Sequence, residues 1–211
     1  MQLGENSWIL ITLIFLEILL VFVPAFISSK IEKKKIVDSL SEMGFEKNED
    51  VLIKIIAGLS TGVLLFFLGN FLIYVFRNVL IETLFGSGFV EQGQQGAIIT
   101  TPIQPNIIQI SVIIILQIII VGPSEEAFFR VFIIKKLQVK IKTRYSIIIS
   151  SIIFALYHVP PFIVPFSTIV TFFGYYFTLG ILLALISLWF NHSLIPNSIA
   201  HSCFNILILL I

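Results

Sequence analysis

Glu125, Glu126 and Arg130 stand together in the run GPSEEAFFR, inside a stretch that is otherwise isoleucine, valine, leucine and phenylalanine. Ionisable side chains are costly in such surroundings and are, by default, candidates for function facing a bundle interior. Consecutive helix positions point about 100° apart, so the two glutamates should not share a face. Glu126 and Arg130 are spaced i, i+4 in the favourable order, and are expected to form a buried ion pair that fixes the helix orientation. Glu125 is then left without a local partner. Beside Phe128 and Phe129 its carboxyl is desolvated, the setting that tunes a carboxyl for general acid or base work near neutral pH. The plainer alternative is a carboxyl hydrogen-bonded to another helix. Gly122 and Pro123 read as a loosening of the helix that lets freed backbone groups and water reach the site.

Two other polar positions interrupt apolar helices. His158 ends the run FALYH, with Phe154 one turn before it on the same face. In HSCFN, His201 and Asn205 are spaced i, i+4 and project together. Their plainer readings are a satisfied core histidine and an interhelical hydrogen-bond clamp. Counting about 1.5 Å per residue from the helix ends expected to be cytoplasmic puts Glu125 roughly 15 Å deep, His158 roughly 20 Å and His201 roughly 10 Å. The three are therefore expected to converge in a polar cavity in the cytoplasmic half of a bundle. His192, the remaining histidine, falls in the turn NHS at the interface and reads as solvated. The single cysteine, Cys203, excludes a disulfide framework or a cysteine metal cluster and reads as a small core residue.

The elements that must position these residues are membrane helices. Hydrophobic residues make up 57% of the 211-residue chain and charged ones 12%, about half the share usual in soluble domains. An all-α, polytopic bundle of about six spans is the expected architecture. A first span covers about 8–28. No basic segment precedes it and Lys30, Lys33, Lys34 and Lys35 follow it, so it reads as a retained anchor rather than a cleaved leader. The connection 30–54, with six lysines, belongs on the cytoplasmic side and contains a short surface helix in KKKIVDSLSEMGF. A second span covers about 55–76. The connection 78–106 carries no lysine or arginine and is expected outside. A third span covers about 107–134 and ends in the basic run KKLQVKIKTR. A helix from about Tyr145 meets HVPPF, the region 162–190 holds one span or two, and a last helix runs from about Leu194. This divides the chain into an anchor with its basic connection, 1–54, and a multi-span unit, 55–211. Nothing is basic enough to bind nucleic acid; the lysines follow topology.

EEAFFR, FALYH and SLIPNSIAHSCFN resemble, in order, the EExxxR, FxxxH and HxxxN motifs of the CAAX protease and bacteriocin-processing family of intramembrane proteases. That family, also called Abi, includes the type II CAAX prenyl endopeptidases. The resemblance covers about 107–211. Val131 departs from it, since many members have glycine after the arginine; the chain length fits bacterial or archaeal members.

The resemblance implies peptide-bond hydrolysis by a water held between Glu125 and His158, with His201 and Asn205 stabilising the oxyanion. Glu126, Arg130 and Phe154 would position these groups. It implies a substrate that is a lipidated or membrane-inserted peptide, taken from the lipid phase and reached from the cytoplasmic side. Glu125, His158 and His201 also form a recognised two-histidine, one-carboxylate zinc set. There is no HExxH helix, however, and a glutamate acting as base is not a simple ligand, so a metal-free route is expected, with zinc as the alternative. Bacteriocin self-immunity or regulation, with or without proteolysis, is the main competing function. A proton-coupled transporter is a third.

Overall fold

The computed structural model of the chain describes residues 3–45, 49–100 and 102–211. The described residues are all-α, with eight helices among them: α1 (Ser7–Ile31), α2 (Ile36–Glu42), α3 (Val51–Phe85), α4 (Ser87–Gln95), α5 (Ile107–Gln138), α6 (Thr143–His158), α7 (Phe166–Trp189) and α8 (Leu194–Leu210). Local chemistry sets the starts. Asn6 accepts hydrogen bonds from the backbone of Trp8 and Ile9 at the head of α1. At the head of α5, Asn106 and Gln109 each accept from the other's backbone N–H, a reciprocal cap.

Four helices, α1, α3, α5 and α7, have the length and hydropathy to cross a bilayer. The protein is accordingly a multi-pass membrane protein. The helices α6 and α8, of 16 and 17 residues, are shorter, so the expected count of six becomes four long spans and two short helices. Region 162–190 holds a single helix. Pro165 stands at its start, and its two glycines are packing sites, not breaks. A Cβ on Gly174 would lie 2.6 Å from the Phe76 ring, and one on Gly180 would lie 3.0 Å from Ser151.

The second span extends to Phe85 through wide π-helical turns over Val75–Ile81. Part of the connection after it folds as α4 and docks on α7, where Thr168 Oγ1 donates to Gly93 O at 2.8 Å.

The helix with two of the candidate polar residues, α8, lies against α3, α5 and α7. Glycines allow the close approach. A Cβ on Gly62 would stand 2.5 Å from Cys203 Cβ and 2.8 Å from the Ala200 carbonyl, and backbone cannot yield there. Gly62→Leu should therefore cost on the order of 1–3 kcal/mol through overpacking, read as a lowered Tm in detergent. Gly88→Ala, whose added carbon would meet nothing within 4 Å, should leave Tm unchanged.

At the opposite pole from the α5 start, charges clasp α1, α2 and α5. Lys34 bonds Glu32 at 2.6 Å and also Glu42, while Lys136 bonds Glu32 and contacts Glu42 at 3.3 Å. The lysine hydrogen bonds, that of Lys136 foremost, hold the Glu32 carboxyl down at about 2 against an ordinary 4.5. A depressed carboxyl stabilises the fold fully above its unfolded value and ceases to do so as pH falls through the folded one. The clasp should thus weaken from about pH 4.5 downward and be lost near pH 2. Glu32→Gln should lower Tm slightly at neutral pH and low salt, with the difference vanishing in high salt because the pair is exposed.

Candidate active site

Three helices bring the polar residues together, and α5 is the irregular one. Its π-helical stretches, Gln117–Val121 and Glu126–Ile133, flank a single tight turn over Gly122–Glu125. Such widened turns occur often at functional sites. Gly122 has a packing role as well: a Cβ there would lie 2.2 Å from Ser202 Oγ and 2.7 Å from Ser198 O, so α5 touches α8 at this point.

Glu125, His158 and His201 meet. Glu125 Oε2 is buried, has no hydrogen-bond partner, and lies 3.9 Å from both His158 Nε2 and His201 Nε2. Each ring is fixed from behind by an acceptor. His158 Nδ1 is 2.9 Å from Phe154 O, one turn back on α6, and the ring stacks on Tyr176 of α7 at 4.5 Å. His201 Nδ1 is 2.7 Å from Glu126 Oε1. A carbonyl and a carboxylate only accept, so both Nδ1 atoms carry hydrogen and, in the neutral rings, both Nε2 lone pairs face Glu125.

Glu126 makes the expected buried i, i+4 ion pair with Arg130, Nε to Oε2 at 3.4 Å, without hydrogen-bond geometry. The carboxylate is also bonded by His201 Nδ1 and by Asn197 Nδ2 at 2.8 Å, and Asn197 further donates to Leu183 O. Arg130 lies flat over Phe154, 3.9 Å from the ring centre, a cation–π contact in a dry interior. The two glutamates do point differently, yet one imidazole, His201, reaches both. Asn205, one turn after His201 on α8, donates from Nδ2 to Gln117 Oε1 at 3.0 Å.

These groups border a cavity of about 600 Å³. Its walls come from the first half of α1, Leu65 of α3, the first half of α5, the last turn of α6, the middle of α7 and the second half of α8, together with Ile98, Ile99, Thr100 and Pro102. The cavity reaches toward the end of the bundle away from Lys30–Lys35 and Lys135–Arg144. Relative to the basic loops, Glu125 lies deeper than expected, about 20 Å from the end of α5 at Gln138, His158 is the last residue of α6, and His201 keeps its depth of about 10 Å from the start of α8.

Sequence reasoning missed four contributors. Gln117 and Asn197 are neutral amides among apolar residues, a weak signal. Tyr176 is one aromatic in a chain with 13% of them. Glu17 carried a clear signal, a carboxyl in the middle of an apolar span, and it lines the cavity. Among the described residues no group of three or more His, Cys, Asp or Glu side chains is arranged to hold a metal ion.

A buried glutamate thus faces two histidines from a cavity between apolar helices. Residues 107–207 match the family described as Type II CAAX prenyl endopeptidase Rce1-like, and this segment is a domain of that family. The family is one of intramembrane proteases, which implies a protein substrate. No curated protein and no solved structure matches the chain.

Proposed function

We propose that the protein is an intramembrane endopeptidase that hydrolyses a peptide bond of a membrane-associated substrate with a water activated by Glu125. The observation that carries this reading is the unpartnered Glu125 Oε2, 3.9 Å from two imidazole nitrogens. A separation of 3.9 Å is too long for a direct hydrogen bond, and suits one water at about 2.8 Å from both atoms of either pair.

In the proposed step, Glu125 takes one proton from the water while His158 Nε2 accepts its second hydrogen. The water oxygen bonds to the substrate carbonyl carbon, and the carbonyl oxygen gains the charge. The C–N bond then breaks, and the proton held by Glu125 passes to the leaving amine. The oxyanion would be met by Asn205, whose amide carries a second hydrogen, and by His201 when it is doubly protonated. Glu126, bonded to Nδ1, favours that protonated form. Gln117 and Asn197 act as positioning residues for Asn205 and Glu126.

Purified full-length protein should cleave at least one member of a panel holding a farnesylated CAAX peptide and unlipidated membrane-inserted peptides, and His158→Ala should not. A panel left intact by the wild type would refute the reading. Activity that a chelator abolishes and zinc restores would replace the metal-free step with one in which Glu125, His158 and His201 are ligands.

A further inference from the structure

Glu17 lies midway along α1, where the helix tightens over Glu17–Ile18, and contributes to the cavity wall. The Tyr157 hydroxyl donates to its Oε1, and Tyr157 is the neighbour of His158 in the chain and in space, the rings 5.4 Å apart. The other oxygen, Oε2, is buried and has no hydrogen-bond partner. A helix tie between α1 and α6 needs only the first oxygen, and a glutamine would serve it equally well. The second oxygen is an acceptor held ready in apolar surroundings, where leaving it unmet is costly.

The charge of the cavity points the same way. Glu17 and Glu125 are its two acidic lining residues, no lysine or arginine lines it, and Arg130 is engaged behind it with Glu126 and Phe154. Two carboxyls, each with a buried oxygen that has no hydrogen-bond partner, thus face one cavity.

We propose that Glu17, held by Tyr157, is a specificity-determining residue that selects substrates with a basic, lysine-type side chain within two residues of the scissile bond. The proposal rests on the reading of the site as a protease. An ammonium group delivered to Glu17 Oε2 satisfies the open acceptor and balances the acidic cavity, with the methylenes against the apolar wall of Leu13 and Ile14.

The test uses full-length protein in detergent and membrane peptides with lysine or its neutral analogue norleucine at each of the two positions on either side of the cleaved bond. At one of these positions the wild type should prefer lysine in kcat/KM by about tenfold, what a charge-assisted hydrogen bond is worth. Glu17→Gln should collapse that ratio to about one, and Tyr157→Phe should reduce it partway. Equal rates for both peptides, or an equal loss on both with the ratio preserved, would overturn the proposal and leave Glu17 a structural tie. If the wild type cleaves nothing, the protease reading fails separately. Binding of the same peptides to Glu125→Gln, followed by fluorescence anisotropy, still decides the matter. A lysine preference that disappears in Glu17→Gln/Glu125→Gln supports the assignment, and its absence overturns it.

Discussion

Glu125→Gln should lower kcat by at least about a thousandfold while leaving the folded protein and its Tm nearly intact. Glutamine keeps the shape of the side chain and removes the basic oxygen, and general-base contributions of this kind amount to about 10²–10⁴. No hydrogen bond is lost at Oε2, because none is made there. Glu125→Asp retracts the carboxyl by one methylene and should retain a small fraction of the rate, since geometry and not charge is then at fault. Single-turnover assays beside thermal melts separate the two effects. If Glu125→Gln cleaves as fast as the wild type, the assignment of the base is wrong. If both variants melt early, the residue is structural.

Glu126→Leu should act in the opposite sense, on stability first. Glu126 is 0% exposed and Arg130 1%, so removing the carboxylate leaves a guanidinium buried without a counter-charge. Breaking one side of such a pair costs about 3–5 kcal/mol. It also frees Asn197 Nδ2 and His201 Nδ1 from an acceptor they share. Glu126→Leu/Arg130→Met, which removes both charges, should recover much of the lost Tm because a well-packed apolar pair often replaces a buried ion pair at little cost. Activity should stay low in the double variant, since the His201 ring has lost the group that fixes it. Recovery of both stability and activity would show that Glu126 serves Arg130 alone.

The sequence was most informative where cost is highest. Charges in lipid-like surroundings cannot be casual, so Glu125, Glu126 and Arg130 drew attention from composition and helix geometry alone. The order of the helices followed from hydropathy and prolines, down to a helix that ends at His158. What pairs with what was less legible. The i, i+4 spacing pairs Arg130 with Glu126, and the approach of α8 through Gly122 adds His201 and Asn197 as partners that no spacing within α5 encodes. The i, i+4 spacing of His201 and Asn205 predicted a common face, and α8 is regular there. Both line the cavity, and the bond of the amide to Gln117 is a tertiary contact that no spacing within one helix encodes. Four helices are long enough to cross alone, and the expected count of about six rests on two shorter ones. A helix enclosed by neighbours need not be as long as a lone crossing, and α6 and α8 are short.

The cavity reaches toward the pole away from the basic loops, which carries a consequence for traffic. Positive charge holds a membrane protein with its basic pole in the cytoplasm. Under that rule the proposed catalytic groups would draw their water and discharge their products toward the other compartment. A chain prenylated on the cytoplasmic face would then arrive at the wrong pole, whereas a peptide already threaded across the bilayer would pass the cavity on its way out. Labelling cysteines placed at residue 99 and at residue 140 with an impermeant thiol reagent, in the Cys203→Ser background, would show which compartment each pole meets. With it comes the choice between those two kinds of substrate.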